Sequence, residues 1–308
     1  MKRMVIVFAA LALLCTSIPA VAQQAQADTP KGSLLIIGGG PRPQAMMERF
    51  VELAGGKDAG FLVISTAGLP EERGQGLVDE LAELGVKRAQ WIDPTREECE
   101  DPAFVAKVLD GVTGVFFTGG SQRKIADTIR STKFHDALWK VYREGGVIGG
   151  TSAGAAMMSD PMMSGRRNDG SDAGFNEVAK GNVEVVPGMG FLPGVLLDQH
   201  FFKRARENRM LSAALDHPQS VTIGIDESTA LLVTGGRDIE VLGLSNVLVV
   251  EPDPALVKTD AAGNYGIPVM NVRLLIAGDK YTITPGGSES TSAPANCRKH
   301  ASGHAPRH

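Results

Sequence analysis

Three short apolar runs in this chain end in glycine-rich turns, and that repetition constrains the fold more than any other feature. Ser33-Leu34-Leu35-Ile36-Ile37 runs into Gly38-Gly39-Gly40, and residues 112–117 run into Thr118-Gly119-Gly120-Ser121-Gln122. Gly146-Val147-Ile148 runs into Gly149-Gly150-Thr151-Ser152-Ala153-Gly154. Continuous apolar runs of this length suit strands buried on both faces. Weaker or similar runs stand at 61–65 and 89–93, and segments with a helical period lie between them at 45–53, 72–84, 102–109, 125–130 and 134–144. Strands alternating with helices at this spacing predict an α/β fold, a mostly parallel sheet flanked by helices on both faces. In such sheets ligands bind at the carboxyl ends of the strands, where all three glycine turns fall. A dinucleotide fingerprint is excluded at the first turn. Pro41 and Pro43 stand where a helix would present N–H groups, and no G-x-G-x-x-G follows.

Beyond Asp160 the pattern changes. Runs at 183–186 and 194–197 are separated by Pro187-Gly188-Met189-Gly190, and Asp198-Gln199-His200 leads into a basic helix over 203–215. Short strands then follow at 221–226, 230–233, 239–242, 247–250, 271–276 and 281–283. They read as a mixed or antiparallel extension of the same sheet, giving one catalytic domain over 32–285. Residues 286–308 are rich in Ser, Pro, Gly, Asn and His and read as a disordered tail.

The N-terminus reads as a targeting segment. Lys2 and Arg3 precede an apolar run over 4–14, and Ala20-Val21-Ala22 supplies a small-x-small cleavage site. Residues 1–22 are expected to be a signal peptide, followed by a flexible leader over 23–31, with export to the periplasm or the medium. Cys15 lacks the preceding small residue of a lipoprotein signal, so no membrane anchor is expected. After cleavage Cys99, expected in an acidic loop, and Cys297, in the polar tail, either pair or remain exposed free thiols. The net charge of −4, with no long basic run before the last residues, excludes a nucleic-acid partner. His300, His304 and His308 have i, i+4 spacing, but Gly303 and Pro306 undercut a helix there, so no metal or other cofactor is expected.

Gly150-Thr151-Ser152-Ala153-Gly154 has the G-x-S-x-G form of a nucleophile elbow, in which small neighbours let a strand turn sharply into a helix and present the hydroxyl. Steric demands alone also enrich such turns in Gly, Ser and Ala, so the motif needs partners. A serine nucleophile requires a base, and the base requires an orienting group. Of the histidines outside the tail, His135 begins a helix and His217 precedes a proline, both in surface-like settings. His200 directly follows an apolar strand and is the candidate base. Strand alternation puts Glu227 on the side of Val221, Ile223 and Ile225, which makes it the better orienting acid, with Asp198 as a loop or supporting alternative. Oxyanion donors are expected from the Ala153 N–H and from Gly119 or Gly120, with Gly120 preferred. Arg204, Arg206 and Arg209 either bind substrate carboxylates or form a solvated helix face.

Four separated segments resemble the cyanophycinases. They are Phe117 to Gln122, Gly150 to Asp160, Leu192 to Phe201 with the spaced arginines after it, and Gly224 to Leu231. The resemblance runs from Gly32 to about Ile283. It implies a fold like the class I glutamine amidotransferases, a Ser–His–Glu triad at Ser152, His200 and Glu227, and metal-free hydrolysis of β-linked aspartyl-arginine polymer (cyanophycin) to β-Asp-Arg dipeptides. Related peptidases cleave α-aspartyl or isoaspartyl dipeptides on the same scaffold. Gln122 and Arg206 or Arg209 are expected to grip the charged ends of the substrate. One position departs from the family: Ser121 stands where an aspartate is common, which weakens recognition of a cationic or amino group. The expected protein is an exported serine exopeptidase acting on cyanophycin, with an aspartyl dipeptidase and a non-catalytic binding protein as alternatives. A homodimer is left open.

Overall fold

In the computed structural model, residues 29–68, 71–171 and 173–284 are described. The expected signal peptide, most of the leader, the tail with its three histidines, and Cys297 lie outside the described residues. Five parallel strands form the part of the main sheet that carries the glycine turns: β1 (Ser33–Ile37), β2 (Gly60–Ile64), β3 (Arg88–Ile92), β4 (Val112–Phe117) and β5 (Val147–Thr151). Their order is β1-β5-β4-β2-β3. Each polypeptide crossover between them carries helix, as parallel pairing requires.

Alternation along the strands decides which helix covers which face. Leu35 and Ile37 of β1, Phe61 and Val63 of β2, and Phe116 of β4 face one side. There they meet Met47 and Phe50 of α1 (Gln44–Leu53) and Leu77 and Leu81 of α2 (Glu71–Glu83). Phe50 packs edge-on to Phe116 with ring centroids 5.3 Å apart. Leu34, Ile36, Leu62, Ile64, Val115 and Phe117 face the other side. They pack with α3 (Arg96–Glu100), α4 (Pro102–Val108), α5 (Gln122–Ile129) and α6 (Lys133–Glu144), through Cys99, Val105, Ile125 and Phe134 among others. Each such fully buried aliphatic or aromatic side chain stabilises by roughly 1.5–3 kcal/mol.

After β5 come a one-turn helix, α7 (Ala153–Ala156), and short strands β6 (Ser159–Asp160), β7 (Met162–Arg167), β8 (Val183–Val186) and β9 (Leu192–Pro193). The later strands are β10 (Val195–Gln199), β11 (Val221–Ile225), β12 (Thr229–Thr234), β13 (Asp238–Gly243) and β14 (Val247–Glu251), then β15 (Lys258–Thr259), β16 (Tyr265–Gly266), β17 (Asn271–Leu275) and β18 (Lys280–Thr282). They do not all extend the first sheet, and this corrects the sequence expectation. β12, β13 and β18 continue it in antiparallel fashion beyond β1, whereas β10, β11, β14 and β17 form a second, four-stranded sheet. Val195, Leu197, Ile223 and Val247 of that sheet join the core on the α5–α6 side. The chain passes from one sheet to the other between Ile225 and Thr229, where Ser228 takes a positive φ of 54°.

The expected basic helix also differs. A 3₁₀ turn over Phe202–Arg204 ends at Ala205, which is left-handed, and α8 begins only at Glu207, running to Asp216. Cys99 is not in a loop. It is buried on α3 as a free thiol, which burial pushes up to about 12. His135 is not an exposed cap: its Nε2 lies 2.8 Å from the Met189 carbonyl, its Nδ1 accepts from the Ser131 N–H, and burial lowers its pKa.

Candidate active site

The strand-to-helix turn after β5 is sharp, and its neighbours explain why it must be small. A Cβ on Gly154 would stand 2.3 Å from the Phe117 carbonyl oxygen, and one on Gly150 equally close to the Gly154 oxygen. Ser152, between them, adopts φ 55°, ψ −113°, a conformation that costs a non-glycine residue about 1–3 kcal/mol. Its N–H donates to the Ile37 carbonyl at 3.0 Å, which anchors the elbow to the end of β1.

The turn that follows β1 organises the rest. The Gly38 carbonyl accepts from the His200 N–H at 2.7 Å, and the Gly39 carbonyl from the Ser228 N–H at 2.8 Å. The Gly38 N–H donates to Thr229 at 2.9 Å. A Cβ on Gly39 would lie 2.3 Å from His200 Cε1, and one on Gly40 2.8 Å from Glu227 Cβ. Residues 37–40 therefore seat the serine, the histidine and the acid together through backbone alone: Ile37 holds Ser152, Gly38 and Gly39 meet His200, and Gly40 meets Glu227. From sequence, this turn reads as part of a ligand floor. Its larger task is to hold three catalytic-type side chains that come from two sheets.

The result is a relay. His200 Nε2 lies 2.9 Å from Ser152 Oγ, and Nδ1 lies 2.6 Å from Glu227 Oε1. With Nδ1–H donating to the carboxylate, Nε2 is left as an acceptor for the hydroxyl proton. The His200 side chain is only 8% exposed, and burial is the largest influence on it, lowering its pKa; the Glu227 hydrogen bond acts in the opposite sense. A neutral imidazole between a hydroxyl and a carboxylate is the arrangement that deprotonates serine for attack on a carbonyl.

Asp226 ties the two loops that bring these groups together. It accepts from the Lys203 N–H at 2.9 Å and from Ser245 Oγ at 2.8 Å, joining the turn after His200 to the crossing that carries Glu227. Asp198, weighed as an alternative acid, is turned elsewhere. It is 1% exposed and is gripped by Arg209 Nε at 2.8 Å and Nη2 at 2.5 Å, with Arg206 Nη1 at 3.4 Å.

Ser152 and His200 open on a cleft of about 650 Å³ lined also by Gly39, Gly40, Thr118, Gly119, Gly120 and Thr151, so all three glycine turns do meet there. Gly119 backs onto the serine, with its Cβ position 3.1 Å from Ser152 Cβ. Ala153 opens α7, so its N–H has no carbonyl to bond within the helix. The residues expected to grip substrate are not on this wall. Gln122 is buried and donates to the Met163 carbonyl at 3.0 Å. Arg206 reaches inward to Asp198 and to Gln199 Oε1, the latter at 2.9 Å, and Arg209 is buried on Asp198. A buried aspartate must be neutralised, and these two arginines do that. Among the described residues the cleft cations are instead Arg42 and Arg204. Arg204 was one of the arginines weighed from sequence. Arg42 was not, because its place between Pro41 and Pro43 carries no motif. Ser121 caps α5, its side chain accepting from the Lys124 N–H.

Among the described residues no cluster of three or more His, Cys, Asp or Glu side chains is placed to hold a metal, and no helix is long and apolar enough to cross a membrane. The sequence profile of peptidase family S51 matches residues 34–241. The cyanophycinase of Geminocystis herdmanii is 32% identical over 262 residues, covering 82% of this chain and 93% of that protein. The cyanophycinase of Synechococcus elongatus is 31% identical over 264 residues, covering 82% and 80%. The crystal structure of a peptidase from an acI-B1 actinobacterium aligns with a TM-score of 0.61 at 24% identity, over 83% of this chain and 98% of that one, and so shares the fold. With more than half of its length matched by the family profile and two cyanophycinases above 30% identity, this chain belongs to peptidase family S51, the family of the cyanophycinases, and is a serine-type peptidase.

Proposed function

We propose that the protein is an exported serine exopeptidase that hydrolyses β-linked aspartyl-arginine polymer to β-Asp-Arg dipeptides. The observation that carries the chemistry is the bridging position of His200, within hydrogen-bond distance of both Ser152 and Glu227. Nε2 takes the Ser152 proton as Oγ forms a bond to the carbonyl carbon. The oxyanion is held by the N–H groups of Gly120 and Ala153. When the C–N bond breaks, the imidazolium returns its proton to the departing amine, leaving an acyl-serine. Water, deprotonated by the same imidazole, then attacks the acyl carbon and frees Ser152. Glu227 keeps the proton of the resting ring on Nδ1 and stabilises the imidazolium. Cyanophycin as the substrate rests on the named relatives, and export on Lys2, Arg3, the apolar run and Ala20-Val21-Ala22.

A second reading keeps the chemistry and changes the substrate to α-aspartyl or isoaspartyl dipeptides. Ser121 favours it: the hydroxyl caps a helix, at a position where the resemblance calls for an acid to meet a cationic group. Purified mature protein should release β-Asp-Arg from cyanophycin. Hydrolysis of Asp-X or isoaspartyl dipeptides without any release from the polymer would select the second reading. Failure of a serine-directed phosphonate to label Ser152 in folded protein would overturn both.

A further inference from the structure

The cleft beside Ser152 carries two guanidinium groups, Arg42 and Arg204, and no carboxylate among its described lining residues. Arg42 is held from two directions. Its backbone neighbour Pro41 accepts from Ser228 Oγ at 2.8 Å, which ties this segment to the crossing that bears Glu227. Its guanidinium is gripped by Glu80 of α2, Nε donating to Oε1 at 3.3 Å and Nη2 to Oε2. Nη1 has no partner among the described residues. A surface arginine ordinarily loses much of its binding energy to side-chain entropy, and a two-point grip removes that loss before any ligand arrives. The half-buried Arg42–Glu80 pair therefore leaves the two N–H donors of Nη1 without a described partner, on a residue that lines the cleft.

Their side of the cleft follows from the relay. The imidazole must protonate the departing amine, so the leaving group lies on the His200 side. Arg42 follows the turn whose Gly39 touches the His200 ring and whose Gly40 touches Glu227. We propose that Arg42 is a specificity-determining residue that binds a carboxylate of the leaving group. The favoured substrates are then aspartyl-linked peptides whose leaving residue carries a free carboxylate next to the scissile bond, rather than an amide or a cation there. This assignment rests on Ser152 as nucleophile for its sense of direction.

Binding to the Ser152→Ala protein tests it apart from turnover. The probes are α-aspartyl-alanine, whose amide is of the same kind as the polymer's backbone bond, and its C-terminal amide, titrated by calorimetry. The free acid should bind at least roughly tenfold tighter than the amide, the difference expected of a charge-assisted hydrogen bond. Adding Arg42→Ala should bring the ratio close to one by weakening only the acid. Arg42→Lys should retain part of it. With Ser152 intact, Arg42→Ala should raise KM for the acid and leave the amide unchanged. A ratio indifferent to Arg42, equal weakening of both probes, or no binding of either at millimolar concentration overturns the assignment. If the ratio follows Arg42 but the intact protein hydrolyses neither peptide nor cyanophycin, the peptidase reading falls and the carboxylate site stands.

Discussion

The imidazole of His200 rests directly on the α-carbon of Gly39, at a point where a Cβ would come within 2.3 Å of Cε1. Gly39 also has φ +117°, so any side chain there is strained as well as obstructed. Gly39→Ala is expected to push the ring away from Ser152 and lower kcat/KM by about 100-fold or more, the scale of loss for a misplacement near 1 Å. Steady-state kinetics alongside thermal melts check this. Near-normal kcat/KM in a folded Gly39→Ala protein would show that the packing does not position the ring.

The acidic limb of the rate profile should lie below the ordinary histidine range. Burial favours the neutral form of His200, and the neutral form is the base, so activity persists to lower pH than a free imidazole near 6.5 would allow. Glu227 works against burial by favouring the protonated form. Glu227→Gln should therefore move the limb lower still, while kcat drops by about 10⁴, as for loss of the orienting acid in serine proteases. kcat/KM measured against pH gives both. An upward shift in the variant would contradict the direct contact.

Ser152 offers a stability test as well as a kinetic one. Ser152→Ala should abolish turnover and leave the fold intact. Ser152→Gly should also be inactive, yet unfold at higher denaturant than Ser152→Ala, by about 0.5–1 kcal/mol, because glycine relieves the φ of 55°. Chemical denaturation of both variants measures the difference. Equal midpoints would mean that the elbow holds no strain.

Asp198 should matter for stability more than any surface charge. Asp198→Ala leaves the buried Arg209 and the half-buried Arg206 without their counter-ion and is expected to cost about 3–5 kcal/mol. Urea unfolding checks it, and a loss under about 1 kcal/mol would show that the two guanidinium groups find water instead.

Much of the architecture was legible because it is written in local pattern. Apolar runs predicted the five parallel strands, and the glycine turns that close three of them predicted the edge at which the cleft opens. The elbow was legible because Gly150 and Gly154 answer a steric demand within one turn of chain. His200 and Glu227 were legible because each follows the end of an apolar strand. The arginines were not. Arg206 and Arg209 share a short basic stretch with Arg204, yet they turn inward to Asp198 while Arg204 lines the cleft. The left-handed Ala205 makes that division, and nothing in its sequence context announces it.

Sequence alone determined where the strands and the sharp serine turn form and which side chains stand at the strand ends, since strand period, turn sterics and side-chain identity are properties of neighbouring residues. Only the tertiary structure decided that β10 and β11 form a second sheet, that Cys99 is buried, and that Arg42 reaches the cleft. It also decided that Ile37 to Gly40 hold together Ser152 and His200, 48 residues apart, and His200 and Glu227, 27 apart. Those outcomes depend on packing between segments distant in the chain. There the winning arrangement is one that pairs buried charges such as Asp198 with Arg209 while closing the core.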